Sequence, residues 1–170
     1  MSVLPRVTSL TRERLARDFD DRGPDVCHLE IRTALESENP ELLDIAERWA
    51  RDVGNPAQMM SGFFMFYGLL RSESRAAGTA MASSPPGAEF APLPRVSAET
   101  RAQIVRRIDA MGSESFTRAA VSELESLNPE LLIMANNFAE DKPDYGGVMQ
   151  GFALIYACLS EQAERRQLLH

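Results

Sequence analysis

Asn39-Pro40-Glu41-Leu42-Leu43 is written a second time as Asn128-Pro129-Glu130-Leu131-Leu132, 89 residues further on. Each copy carries the signals of a helix start: an asparagine in the capping position, a proline where a missing N–H costs nothing, and a glutamate that complements the helix dipole. The same offset of 89 joins Leu4-Pro5-Arg6-Val7 to Leu93-Pro94-Arg95-Val96, Leu35-Glu36-Ser37 to Leu124-Glu125-Ser126, Gly23 to Gly112, and Gly62-Phe63 to Gly151-Phe152. From Leu4 to Leu70, 25 of 67 residues are identical to the residue 89 further on. Ordinary residue usage predicts roughly 6%. One ungapped register of this kind reads as a tandem duplication.

Working outward from that helix start, each copy predicts four helices. A first helix is expected from near Thr8 to Arg22 and from Ser97 to Met111, with Thr8 and Ser97 as N-caps and an apolar stripe at Leu15 and Phe19, or Ile104 and Ile108. Gly23 and Gly112 are expected to close it in a left-handed cap. The second helix shares the face Cys27/Phe116, Ile31/Ala120 and Leu35/Leu124, and ends before the proline. The third carries the inner stripe Leu43, Ala46, Trp49 and Ala50, matched by Leu132, Ala135, Phe138 and Ala139. The fourth begins near Pro56 and near Asp144. Its apolar runs, MMSGFFMFYGLL and VMQGFALIYACL, have no polar side, so it is expected to be buried on every side. No alternating strand pattern occurs.

The expected organisation is therefore all-α: a tandem duplication of a four-helix unit, about eight helices, with the copies related by a pseudo-two-fold. Residues 1–73 form the first repeat, 74–92 a linker rich in proline, alanine and serine, and 93–170 the second repeat. Small units bury little surface alone, so the copies are expected to dock through their apolar fourth helices.

Composition narrows the function. The chain has 170 residues, 44% apolar and 25% charged, with a formal net charge of -7. An acidic chain lacks the basic footprint of a nucleic-acid binder and the attraction to anionic lipid of a membrane-surface protein. Residues 1–10 carry no signal-peptide pattern, and the longest apolar runs fall short of the roughly 20 residues a bilayer span needs. Two cysteines are too few for a disulfide framework. The expectation is a cytoplasmic protein with no nucleic-acid and no membrane partner.

No catalytic or metal motif in the sequence is complete. Asp25 and His28 stand in a helical carboxylate-x-x-His spacing, but a di-metal site needs a second such pair. The matching positions are Glu114 and Thr117. Cys27 and Cys158 are replaced by Phe116 and Leu69 in the other copy, which suits small core hydrophobes better than nucleophiles. No nucleophile elbow or phosphate-cradling loop is present. No catalytic residue, metal ligand or cofactor is assigned.

Two functional readings remain. The leading one is a non-enzymatic helical interaction module, an adaptor, inhibitor or regulator working by protein–protein contact, self-association included. The alternative is a small-molecule or lipid-binding protein using the aromatic and Met-rich interior of the first copy: Trp49, Phe63, Phe64, Phe66, Tyr67, Met59, Met60 and Met65. A cavity of several hundred cubic ångströms with a few convergent polar groups favours the alternative. A solid core with an exposed apolar patch favours the first. The contact residues of the first reading come from a mismatch between the copies. On the third helix Asp44, Glu47, Arg48 and Arg51 have the spacing of a self-paired, solvated face. Their counterparts are Ile133, Asn136, Asn137 and Glu140, an apolar anchor beside amides, the composition of a partner contact.

Overall fold

The computed structural model describes residues 7–82, 93–140 and 142–168. Among the described residues there are eight helices and no strand: α1 (Ser9–Arg22), α2 (Pro24–Glu38), α3 (Pro40–Ala50), α4 (Pro56–Ala82), α5 (Ala98–Met111), α6 (Ser113–Leu127), α7 (Pro129–Glu140) and α8 (Tyr145–Leu168). None is long and apolar enough to cross a membrane. Helix α4 continues through Ala82, so the opening of the segment read as a linker is helical. Residues 83–92 of that segment lie outside the described residues.

The apolar helices α4 and α8 form the central pair, and their mutual packing is the most extensive in the molecule. They cross at Gly62 and Gly151. A Cβ on Gly62 would overlap the Val148 carbonyl oxygen, and one on Gly151 would overlap the Met59 carbonyl oxygen and stand 2.6 Å from the Phe63 nitrogen. Only glycine lets two backbones approach this closely. Around the crossing, Phe66 meets Phe152 edge-on with ring centroids 4.7 Å apart. Helices α1, α2 and α3 pack on α4, and α5, α6 and α7 on α8. Helix α3 also reaches α5 and α8, and α7 reaches α4, so one continuous core joins both halves.

The local signals act as elementary chemistry dictates, with two corrections. Thr8 Oγ1 accepts from Thr11 N at 3.3 Å, and Ser97 Oγ accepts from Thr100 N at 3.1 Å, so both expected N-caps form. Gly23 and Gly112 have φ of 88° and 84°, but ψ of 149° and 152°. They lie outside the left-handed helical region, in the extended positive-φ region that is essentially restricted to glycine. Each turns the chain directly from one helix into the next. The second correction concerns Asn39. Its side chain makes no capping bond. Instead its amide Nδ2 donates to Pro94 O at 2.9 Å, and its Oδ1 accepts from Val96 N at 2.8 Å. One buried amide thus satisfies a carbonyl and an N–H of the same segment. Asn39 thus clamps the Leu93-Pro94-Arg95-Val96 segment of the second half to the first.

Candidate functional site

The charged face of α3 is not self-paired. Asp44 and Glu41 both turn to Arg101 on α5: Arg101 Nε lies 3.1 Å from Glu41 Oε2, and its Nη1 donates a short bond to Asp44 Oδ2. Glu47 turns the other way, to Arg32 Nη2 on α2 at 2.6 Å. These bonds cross between helices because α3 lies in a valley between α2 and α5. The face is solvated, with Asp44, Arg48 and Arg51 exposed, and the expectation that its charges pair with one another is corrected.

Helix α5 therefore closes onto α3. Ile104, Ile45 and Trp49 are buried there, Trp49 reaches Phe116 edge-on at 5.7 Å, and the space left beside Ile45, Arg48, Trp49, Val105 and Ile108 is about 40 Å³. In the register of 89 residues, α5 corresponds to α1 and α3 to α7. There the packing is different: no Cα of α1 comes within 8 Å of a Cα of α7. Between them lies a cleft of about 290 Å³. Leu15, Ala16, Met65, Leu69, Met134 and Phe138 make its apolar lining, and Arg12 and Asn137 are its polar groups.

Three substitutions at the matching positions leave more space, while Leu69 stands where the other half has the smaller Cys158. Ala16 stands where the other half has Val105, Phe138 where it has Trp49, and Asn137 where it has Arg48. Ile133 replaces Asp44, so one of the two carboxylates that hold Arg101 has no counterpart for Arg12, while the other, Glu41, is kept as Glu130. Arg12 donates its backbone N–H to Thr8 O, but among the described residues its guanidinium takes part in no hydrogen bond or ion pair. At the far wall, Lys142 Nζ lies over the Phe138 ring, 4.6 Å from its centroid, and Phe138 meets Phe152 edge-on at 6.1 Å.

The four residues singled out from the sequence take different places around this cleft. Asn137 lines it. Ile133, one helical turn earlier, is 57% exposed. Asn136 is half-buried, and its Oδ1 accepts a short bond from the hydroxyl of Tyr145, itself exposed. Glu140 is exposed and does not line the cleft. Sequence reasoning missed Arg12, Leu15, Ala16, Met134 and Leu69, although the smaller residue at Ala16 was available as a signal. In the aromatic interior beside α4, Met59, Phe63, Phe66 and Tyr67 are fully buried. Only Met65 and Leu69 of α4 show a flank to the cleft.

The remaining chemical groups are placed apart. His28 sits half-buried between the rings of Phe19 and Phe64, with Nε2 buried and unpartnered among the described residues. Burial holds its pKa below the ordinary value, opposed by Asp25. Cys27 and Cys158 are buried free thiols. Cys27 donates to Asp18 O at 3.5 Å, and burial pushes the Cys158 thiol up. Glu38 is held below the usual carboxylate range by Arg71, which donates to both its oxygens at 3.1 and 3.0 Å, and Tyr67 adds its hydroxyl at 3.2 Å. Burial and the neighbouring Glu38 charge push the Tyr67 hydroxyl up. Among the described residues no three His, Cys, Asp or Glu side chains converge where a metal ion could sit. Comparison with family models, with curated proteins and with solved structures finds no match for this chain.

Proposed function

We propose that the chain is a helical ligand-binding protein whose ligand sits in the cleft between α1, α4 and α7. One observation carries this reading: the same register position is a cleft of about 290 Å³ in one half and about 40 Å³ in the other. The larger volume is close to the lower bound of small-molecule pockets, roughly 300 Å³, and an apolar lining with a few polar groups is their usual composition. The ligand then lies on the outer flank of the Met-rich helix rather than in its aromatic interior. The frame behind it is a tandem duplication with a pseudo-two-fold, one copy kept closed and the other opened. Matching caps, matching helix lengths and the shared glycine crossing support that frame. The reading assigns binding, not bond-making, to the site. It sets the protein in the cytoplasm, in keeping with its two free thiols.

The experiment is to close the cleft with the residues of the closed half. A neutral apolar fluorophore, N-phenyl-1-naphthylamine, is expected to bind the wild type saturably. Ala16→Val with Phe138→Trp is expected to abolish that signal without lowering thermal stability. Equal fluorescence from the filled variant removes the cleft as the site.

A second reading, contact with a protein partner through Ile133, Asn136, Asn137 and Glu140, is favoured by the exposure of Ile133 at 57% beside the cleft. An apolar anchor next to a pocket is a common centre of interface energy. Under this reading Ile133→Ser with Asn137→Ala loses a native-host partner that Arg48→Ala retains. Loss of the neutral probe without loss of the partner, or the reverse, separates the two readings.

A further inference from the structure

We propose that the ligand of the cleft is a small amphiphilic anion, an apolar chain ending in a carboxylate, with the carboxylate on Arg12 and the chain against Leu15, Met65, Leu69 and Phe138. The inference rests on the reading of the cleft as a ligand site and adds the class of ligand. The closed half supplies the argument. There the arginine of α5, Arg101, is held by the carboxylates of Glu41 and Asp44. The arginine is kept in both halves, as Arg12 and Arg101, while Asp44 is exchanged for Ile133. Of the two carboxylates that hold Arg101, Glu41 is kept as Glu130 and Asp44 is replaced by Ile133, so Arg12 stands at the cleft as a guanidinium that has lost one register carboxylate and whose side chain makes no described ion pair. A guanidinium offers a planar fork of donors that matches a carboxylate.

The rest of the lining agrees. Asn137 replaces the charge of Arg48 with an amide that can donate to the same carboxylate. Lys142 adds a second positive charge behind the Phe138 ring, where the other half has Val53. Among the described residues no acidic side chain lines the cleft, and Glu140 lies outside it. A volume of about 290 Å³ holds one chain of moderate length rather than a protein segment with its flanking residues. An incoming carboxylate restores on the ligand what Asp44 provides within the chain on the other side.

The test uses the full chain and three probes of equal chain length: decanoate, 1-decanol and decyltrimethylammonium, each below the concentration at which it self-associates. Binding is followed by calorimetry and by amide shifts in α1 and α7. Decanoate is expected to bind one to one, at least tenfold tighter than decanol, with the ammonium weakest. Arg12→Gln is expected to remove the preference for decanoate and leave decanol unchanged. Ile133→Asp, which supplies a carboxylate at the register of Asp44, is expected to engage Arg12 and weaken decanoate at least tenfold. Arg101→Gln is expected to leave decanoate binding unaltered. If Ile133→Asp fails to fold, Arg12→Gln at its exposed position decides alone. Equal binding of decanoate and decanol by the wild type overturns the anion while the cleft survives. Shifts in neither α1 nor α7 with any probe overturn both. A dimer that buries the cleft without added probe also overturns the proposal, since a second copy is then the occupant.

Discussion

Helix α5 lies on α3, and α1 stands off α7, although the two pairs occupy matching positions of one register. What differs is not the frame. Gly23 and Gly112, Pro40 and Pro129, Asn39 and Asn128, and Gly62 and Gly151 are shared. The glycines and prolines among these govern where a helix starts, stops or crosses, and the asparagines stand at the joins of α2 with α3 and of α6 with α7. What differs is the facing side chains: Val105 against Ala16, Trp49 against Phe138, and Asp44 against Ile133. The comparison teaches that the backbone plan tolerates wide change in what fills it. A contact between two helices can be lost from one half while caps, turns and crossing persist. Space large enough for a ligand then appears at no cost to the central α4–α8 core.

The largest expected effect strikes what the halves hold in common. Gly151→Ala places a methyl into backbone atoms of Met59 and Phe63, which cannot move aside as a side chain can. Overpacking of a core costs typically 1–3 kcal/mol and here about 3 or more, because two helices must separate. Gly62→Ala is expected to behave alike, and urea unfolding checks both. Gly68→Ala sharpens the point. Its methyl would meet only the flexible Cδ1 of Ile31, at 2.8 Å, and the matching residue is already Ala157. That variant is expected to lie within about 1 kcal/mol of wild type, the helix-propensity gain offsetting the shift of Ile31.

Next comes a pair identical in sequence but unequal in bonding. Asn39→Ala leaves the Pro94 carbonyl and the Val96 N–H buried without partners, a loss of about 2–3 kcal/mol. The Asn128 amide nitrogen is buried and unpartnered among the described residues. Asn128→Ala is therefore expected to cost less, about 1 kcal/mol or below. Equal losses in thermal unfolding would show that the two asparagines do the same work.

Acid should separate the halves as well. Glu38 and His28 belong to the first half, and their counterparts Leu127 and Thr117 do not titrate. Both groups have pKa values below their ordinary ones in the folded chain. The unfolded chain therefore binds more protons, and stability falls as pH falls. The His28 contribution is complete above its unfolded value of about 6.5 and is lost as pH drops below it. The Glu38 contribution is complete above the ordinary glutamate range and is lost as pH drops through and beneath that range. Hydrogen exchange at pH 7 and pH 4 should show α2 and the adjoining turn of α4 loosening before α6. His28→Phe with Glu38→Gln should remove that difference. Loosening of α6 first would break the comparison.

The smallest effect concerns the two arginines. Arg101→Gln gives up two partly exposed carboxylates, at most about 1 kcal/mol. Arg12→Gln gives up no described ion pair and is expected to leave the melting temperature unchanged.

Much of this was legible before any coordinate. Proline, glycine and the threonine or serine caps act through their own backbone chemistry, so helix limits at Gly23, Pro40, Gly112 and Pro129 follow from single residues and their neighbours. The apolar runs of α4 and α8 had to be central because no face of them suits water. Ile133 could be picked out because comparing the copies shows a charge exchanged for an apolar residue. Other readings depended on partners far along the chain. Asn39 looked like a cap, since a capping site and a tertiary clamp have the same residue type, and only the approach of Pro94 and Val96 decides between them. Asp44 looked paired along its own helix, since its partner Arg101 lies on another helix. Arg12 is the same residue in both halves, so nothing in its own position marks it. Residue identity determines local backbone choices within a turn or two, and these the sequence by itself settles. Whether α1 closes onto α7 depends on volumes and charges supplied by three separate helices at once, and only the tertiary structure decides it.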